Sequence, residues 1–203
     1  MRALIMAGGE GSRLNLGEKP LILMNGQPMI AYIVDAFRSA GCEPVVCTSP
    51  KTPMTLNWCR VRGIAFCKSE GNGYIEDMIS SVEVLEEKEP LFVCVSDIPG
   101  LTSGNIQYIR QTYTHERKDA LSVWVPASLV KFYPGGIPYR AQIQGVEACP
   151  AGINILRGDK ITMVQEEFSL LVSDPGLALN VNTRTDLGAA DLFLKERSVE
   201  KTW

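Results

Sequence analysis

Gly8, Gly9 and Gly11 follow directly on a short apolar run, and Arg13 and Lys19 stand just beyond them. Glycine has no Cβ, so consecutive backbone N–H groups can turn toward one concave point and come close to a phosphate. Such amides carry only partial charges, too little to balance a nucleoside triphosphate. Arg13 adds a two-pronged fork and Lys19 a movable point charge. The turn therefore reads as a triphosphate cradle, with Met6, Ala7, Gly8, Gly9, Gly11, Ser12, Arg13 and Lys19 as its expected nucleotide contacts. The plain alternative is a strand-to-turn with two surface cations, and the ordered string of glycines and cations argues against it.

Two other phosphate loops are excluded by spacing. A G-x-x-x-x-G-K-[ST] loop is absent, because Arg13, Leu14 and Leu16 stand five residues beyond the three glycines. A dinucleotide G-x-G-x-x-G fails at Leu14, where its third glycine belongs.

Further chemistry-bearing residues fall just after other apolar runs. Asp97, in Val-Ser-Asp-Ile-Pro, is a hard oxygen ligand suited to Mg²⁺, which takes few protein ligands beside substrate phosphates. Its plain alternative is a cap for the helix that begins near Thr102. Ser49 and the Gly71-Asn72-Gly73 loop are placed to wall a base pocket; nothing in their types separates guanine from adenine. Asn180-Val-Asn182-Thr is the kind of string that ends a strand and starts a helix.

The elements that must position these residues are legible in the apolar periodicity. Strand-like runs at 2–7, 44–48, 64–67, 91–96 and 121–125 alternate with helical stripes. Ile30, Ile33, Val34 and Phe37 make one stripe, Ile75, Met78, Ile79 and Val82 a second ending near Glu86, and Ile106, Ile109 and Tyr113 a third. This alternation predicts an α/β, Rossmann-like fold with a largely parallel sheet sandwiched by helices. In such sheets ligands gather at the carboxyl ends of the strands, and the glycine turn, Ser49, the Gly71-Asn72-Gly73 loop and Asp97 all fall at such ends. Residues 1–203 are expected to form a single domain with an insertion at about 127–149, where turn residues replace a clean period. A short strand is expected at 141–144, further strands at 153–156 and 177–181, and a last helix from Arg184 to about Arg197 behind a Thr183/Asp186 capping box.

Net charge is −3, so no general attraction for nucleic acid or acidic membrane is expected. Six cysteines, at 42, 47, 59, 67, 94 and 149, form no C-x-x-C pair. They read as core thiols of a reducing, cytoplasmic compartment, and a zinc site is not expected. The first apolar stretch stops after a few residues at a glycine pair and does not read as a signal peptide; no segment has the length of a membrane span. His115 reads as a solvated surface residue.

The string strand, G-G-x-G-[ST]-R, then Lys19-Pro20 resembles the signature of nucleotidyltransferases that share the nucleotide-diphospho-sugar transferase fold. Its short Arg13-to-Lys19 distance is similar to the molybdenum-cofactor guanylyltransferase branch. Thr48-Ser-Pro-Lys-Thr-Pro53, Gly73-Tyr-Ile-Glu-Asp77, Pro150-Ala-Gly-Ile-Asn154, Glu18-Lys-Pro and Val181-Asn-Thr resemble the archaeal adenosylcobinamide-phosphate guanylyltransferases, and the likeness runs from Ala3 to Leu187. Gly71-Asn-Gly-Tyr stands where the molybdenum branch carries G-P-L-A-G, and the 131–149 stretch matches poorly.

That resemblance implies transfer of GMP from GTP to the phosphate of adenosylcobinamide phosphate, a corrinoid, with Mg²⁺ as cofactor. It implies catalytic roles for Lys19, Arg13 and Asp97 and nucleotide contacts at Ser49, Gly71, Gly73 and Asp97. Asn182 would join Asp97 at the metal, and Gly152 and Asn154 would border the acceptor. A homodimer is compatible with it. Molybdopterin as acceptor and a non-catalytic guanine-nucleotide sensor are the rival readings.

Overall fold

The computed structural model describes residues 1–9, 11–12, 14–130 and 139–200. In chain order its elements are β1 (Arg2–Met6), β2 (Leu23–Met24), β3 (Gln27–Pro28), α1 (Met29–Ser39), β4 (Glu43–Thr48), α2 (Pro53–Val61), β5 (Ala65–Lys68) and α3 (Tyr74–Val84). There follow β6 (Pro90–Val95), α4 (Ser103–Glu116), β7 (Ala120–Pro126), β8 (Ala141–Ile143), β9 (Val146–Arg157), β10 (Glu167–Leu171) and α5 (Arg184–Glu200).

The main sheet runs β10-β7-β9-β6-β1-β4-β5, with β8 paired to β9. β1 lies parallel to β4 and β6, β4 to β5, and β10 to β7, so the mainly parallel sheet expected from the alternation is present. β9 runs antiparallel to both β6 and β7.

Side chains of β1 alternate between two cores, as the two-residue period of a strand requires. Ala3, Ile5 and Ala7 join the stripes of α1 and α4 on one face; Leu4 and Met6 join Val45, Cys47, Cys67, Val93 and the α3 residues Met78 and Val82 on the other. All six cysteines are buried free thiols. A third cluster ties the segment after the glycine turn (Leu14, Ile22, Met24, Met29) to Val181 and Ala190 at the far end of the chain.

The structure also departs from the periodicity. Residues 177–181 form no strand: Asp174 and Pro175 accept from Leu177 and Ala178 in a turn, and the Val181 amide reaches across to the Asp97 carbonyl at 2.9 Å. β10 and α2 were not foreseen. α2 has a narrow apolar face, only Thr55 and Cys59 being buried. The strand expected at 153–156 is the end of a much longer one, and the one at 141–144 is the first arm of a hairpin. Gln144 and Gly145 both have positive φ, 51° and 80°, the two-residue turn that matches strand twist. Of the stretch expected as an insertion, residues 131–138 lie outside the described residues, and 146–149 belong to the sheet.

Candidate active site

β1 meets β4 on one side and β6 on the other, and the chain leaves β1 toward one flank before returning to the opposite one. Such a reversal opens a crevice beyond the carboxyl ends of the strands. A cavity of about 340 Å³ lies there, lined by Met6, Gly8, Gly9, Lys19, Lys51, Gly71, Gly73, Tyr74, Asp77, Val95, Ser96 and Asp97.

The glycine turn is shaped by what surrounds it. A Cβ on Gly9 would meet nothing within 4 Å, so its backbone faces open space. Gly11 has φ +66°, and a Cβ there would stand 2.6 Å from the Cβ of Lys19, so neither the conformation nor the space admits a side chain. The Gly8 carbonyl accepts from the Ser49 hydroxyl at 2.7 Å, which binds this turn to the end of β4. Ala7 is buried and its amide donates to Cys47. Ser12 is exposed, and Arg13 lies outside the described residues.

Lys19 is the electrostatic centre. Its Nζ donates to Asp97 Oδ2 at 2.5 Å and to Asn182 Oδ1 at 2.7 Å, with side-chain exposures of only 13% for Lys19 and 15% for Asp97. The other Asp97 oxygen, Oδ1, is buried without a hydrogen-bond partner among the described residues. Asn182 presents its oxygen to Lys19 while its Nδ2 donates to Asn180 Oδ1 at 2.5 Å. Lys19, Asp97 and Asn182, far apart in the sequence, thus converge on one point. Asp97 does not cap α4; Thr102 does so with Asn105 in a reciprocal pair. Asn182 does precede a helix, since Asp186 accepts from the amides of Asn182 and Thr183.

Gly71 and Gly73 line the cavity, and an internal carboxylate engages two amides of their loop. Asp77 Oδ1 accepts from the amides of Gly71 and Asn72 at 3.0 and 3.2 Å, so those donors hold the loop and do not face the cleft freely. The Ser49 hydroxyl is engaged by Gly8 and by the Lys51 amide.

Gly152 and Asn154 lie on β9, and neither is among the residues lining the cavity. A Cβ on Gly152, at φ +76°, would meet Val95 Cγ2 at 2.6 Å, and Val95 lines the cavity. Asn154 sits opposite Val93 and Ser122 on the neighbouring strands.

Residues that the sequence reading missed are Glu18, Lys51, Tyr74 and Asp77. Glu18 Oε1 accepts from the Met54 amide at 2.7 Å, and Oε2 from the Thr55 amide and hydroxyl at 2.6 and 2.7 Å. A carboxylate beside the cradle lysine thereby caps α2. Its only sequence signal was its place in Glu18-Lys-Pro.

Asp97 and Asn182 offer two hard oxygens, and one carboxylate oxygen is otherwise uncompensated. That donor set fits Mg²⁺, which takes few protein oxygens and fills its remaining positions with phosphate and water. No cluster of three or more His, Cys, Asp or Glu side chains that could hold a metal occurs among the described residues.

A doubly wound sheet with a glycine turn, a lysine and an aspartate at its reversal point has the nucleotide-diphospho-sugar transferase fold. Solved structures of similar fold include a putative glucose-1-phosphate thymidylyltransferase from Bacillus anthracis (TM-score 0.72, 14% identity, covering 95% of this chain and 94% of that one). Another is a CMP:2-keto-3-deoxy-manno-octonic acid synthetase complexed with CTP (TM-score 0.71, 15% identity, covering 97% and 100%). The chain belongs to the family of the MobA-like NTP transferase domain, which matches residues 3–149. It is 33% identical over 207 aligned positions to the adenosylcobinamide-phosphate guanylyltransferase of Methanocaldococcus jannaschii, covering 97% of this chain and 98% of the relative. Among the described residues no helix is long and apolar enough to cross a membrane.

Proposed function

We propose that this nucleotidyltransferase moves the GMP unit of GTP onto the phosphate of adenosylcobinamide phosphate, giving adenosylcobinamide-GDP and pyrophosphate. The single observation that carries the choice of donor and acceptor is the similarity to the M. jannaschii relative over nearly the whole of both chains. The cleft chemistry supports the reaction type.

In this reading the acceptor phosphate attacks the α-phosphorus of GTP in line, and pyrophosphate leaves on the opposite side. Positioning and charge stabilisation carry the rate, and no covalent nucleophile is needed. Lys19 neutralises the reacting α-phosphate. The amides of Gly8, Gly9 and Gly11, with Arg13, hold the β and γ groups. Asp97 and Asn182 would hold Mg²⁺, which when bound would supply positive charge to neutralise the phosphates. Gly71, Gly73 and Ser49 frame the base, and Asp77 keeps that loop in shape. Gly152 leaves the acceptor's approach open, because a side chain there would drive Val95 into the cleft.

The test incubates purified protein with GTP and each acceptor separately. Pyrophosphate release dependent on adenosylcobinamide phosphate is expected. Turnover with molybdopterin alone would reverse the choice of acceptor, and GTP binding with no acceptor-dependent release would favour a nucleotide sensor.

A further inference from the structure

Lys19 has two destinations that exclude one another. Its ammonium already sits between Asp97 Oδ2 and Asn182 Oδ1, the two oxygens assigned above to the metal. It is also the charge needed at the α-phosphate. A departure of Lys19 alone would strand a carboxylate whose other oxygen is buried and without a partner among the described residues. Removing one member of a mostly buried ion pair is strongly unfavourable, because the remaining charge is neither hydrated nor paired. A second cation must therefore arrive as the first one leaves.

Other contacts hold these oxygens where they are. The Val181 amide is bonded to the Asp97 carbonyl, and Asn180 takes up the amide group of Asn182, so both acceptor oxygens keep facing one point whichever cation stands there. The Lys19 stem runs beside Gly11, with which it is in close contact.

We infer that Lys19 is a resident cation occupying the divalent-metal position, and that metal entry and release of Lys19 to the nucleotide are one exchange. This inference rests on the assignment of Asp97 and Asn182 to the metal. Each arrival makes the other easier: metal frees the ammonium for phosphate, and phosphate draws the ammonium away from the metal's oxygens. Such coupling is reciprocal. A ligand whose site is free for only a fraction of the time binds weaker by that fraction, so a position vacated one time in a hundred is weakened about a hundredfold. A purely structural ion pair makes a different demand: loss of the lysine would lower stability and create no metal site.

Mn²⁺ binding, followed by the electron paramagnetic resonance signal of the free ion, separates these possibilities. Without nucleotide, wild-type protein is expected to bind Mn²⁺ weakly. Lys19→Met should bind it on the order of ten to a hundred times more tightly, and Lys19→Arg, which keeps a cation in place, should remain weak. Lys19→Gln retains N–H donors toward both oxygens without the charge and serves where the methionine variant does not fold. Adding Asp97→Asn to the uncharged variants should abolish their binding. Wild-type protein binding Mn²⁺ as tightly as these variants would overturn the exchange and leave the metal assignment standing. Absence of binding in the uncharged variants and in wild type with GTP, or binding that survives Asp97→Asn, would overturn the metal assignment and the exchange with it.

Discussion

Glu18 offers the most direct test of how the cradle is held in position. Its carboxylate accepts three hydrogen bonds at the start of α2, from the Met54 and Thr55 amides and the Thr55 hydroxyl, at 2.6–2.7 Å. α2 has no cap of its own: the Thr52 hydroxyl is turned back onto Ser49, and Pro53 occupies the first turn. Loss of a helix cap costs about 1 kcal/mol, and an anion at a helix N-terminus adds roughly 0.3–1 kcal/mol. The remaining bond to Thr55 is charge-assisted but only partly shielded from water, which brings Glu18→Ala to about 2 kcal/mol of lost stability. Glu18→Gln keeps the acceptor oxygen and shape without the charge and should lose about half as much. Because Lys19 is the next residue, its ammonium is less well held, and kcat/KM should fall about tenfold in the alanine variant, or about 1.4 kcal/mol in the transition state. Urea unfolding gives the first quantity and pyrophosphate release the second. Unfolding within about 0.5 kcal/mol of wild type would refute the capping argument. A destabilised variant with unchanged kcat/KM would refute the claim that Glu18 positions Lys19.

Lys19→Ala should lower turnover by on the order of 10²–10³ with the fold retained, by comparison with loss of one charge-stabilising donor; near-normal pyrophosphate release would remove Lys19 from the chemistry. Gly11→Ala should weaken GTP binding measured by calorimetry on the order of tenfold or more, because about 1–2 kcal/mol of left-handed strain is joined by a collision with the Lys19 stem. The acid limb of stability should respond to Lys160. Its hydrogen bonds hold Asp119 below the ordinary carboxylate range, as Arg157 does for Asp159. A depressed folded pKa stabilises above the unfolded value of about 3.9 and the effect fades as pH falls through the lower folded value. Lys160→Met should therefore flatten the pH dependence of the urea midpoint below about pH 4, and an unaltered slope would contradict this origin.

The sheet was legible where a strand is buried on both faces and its apolar run is bounded by turn residues, as in β1, β4 and β6. It was not legible at α2, whose nine residues carry too narrow an apolar face to show a helical period, or at β10, where Glu167 and Ser169 interrupt the run. Of β9 only 153–156 was legible, because Glu147, Pro150 and Gly152 break the alternation before it, and its register against β7 shifts between Ser122 and Trp124. At the candidate site, the glycines and Lys19 could be proposed together because phosphate chemistry demands those residue types close together in sequence, and the structure places Gly8, Gly9 and Lys19 on one cavity. Asp77 and Glu18 were not, because their work is to hold other backbone in place; that role depends on where α2 and α3 begin, which periodicity alone does not locate.

The partners of Lys19 come from distant parts of the chain, and Asn182 lies 163 residues beyond it. During synthesis the glycine turn, α1 and the first strands can be made long before the segment that completes the cation's coordination leaves the ribosome. Until then Lys19 lacks one of its two anchors, and the hydrophobic cluster that joins Leu14 and Met24 to Val181 and Ala190 is also unfinished. On the proposed reading of the site, competence to process nucleotide therefore emerges late in translation, and a nascent chain released early would present the signature turn without a working centre.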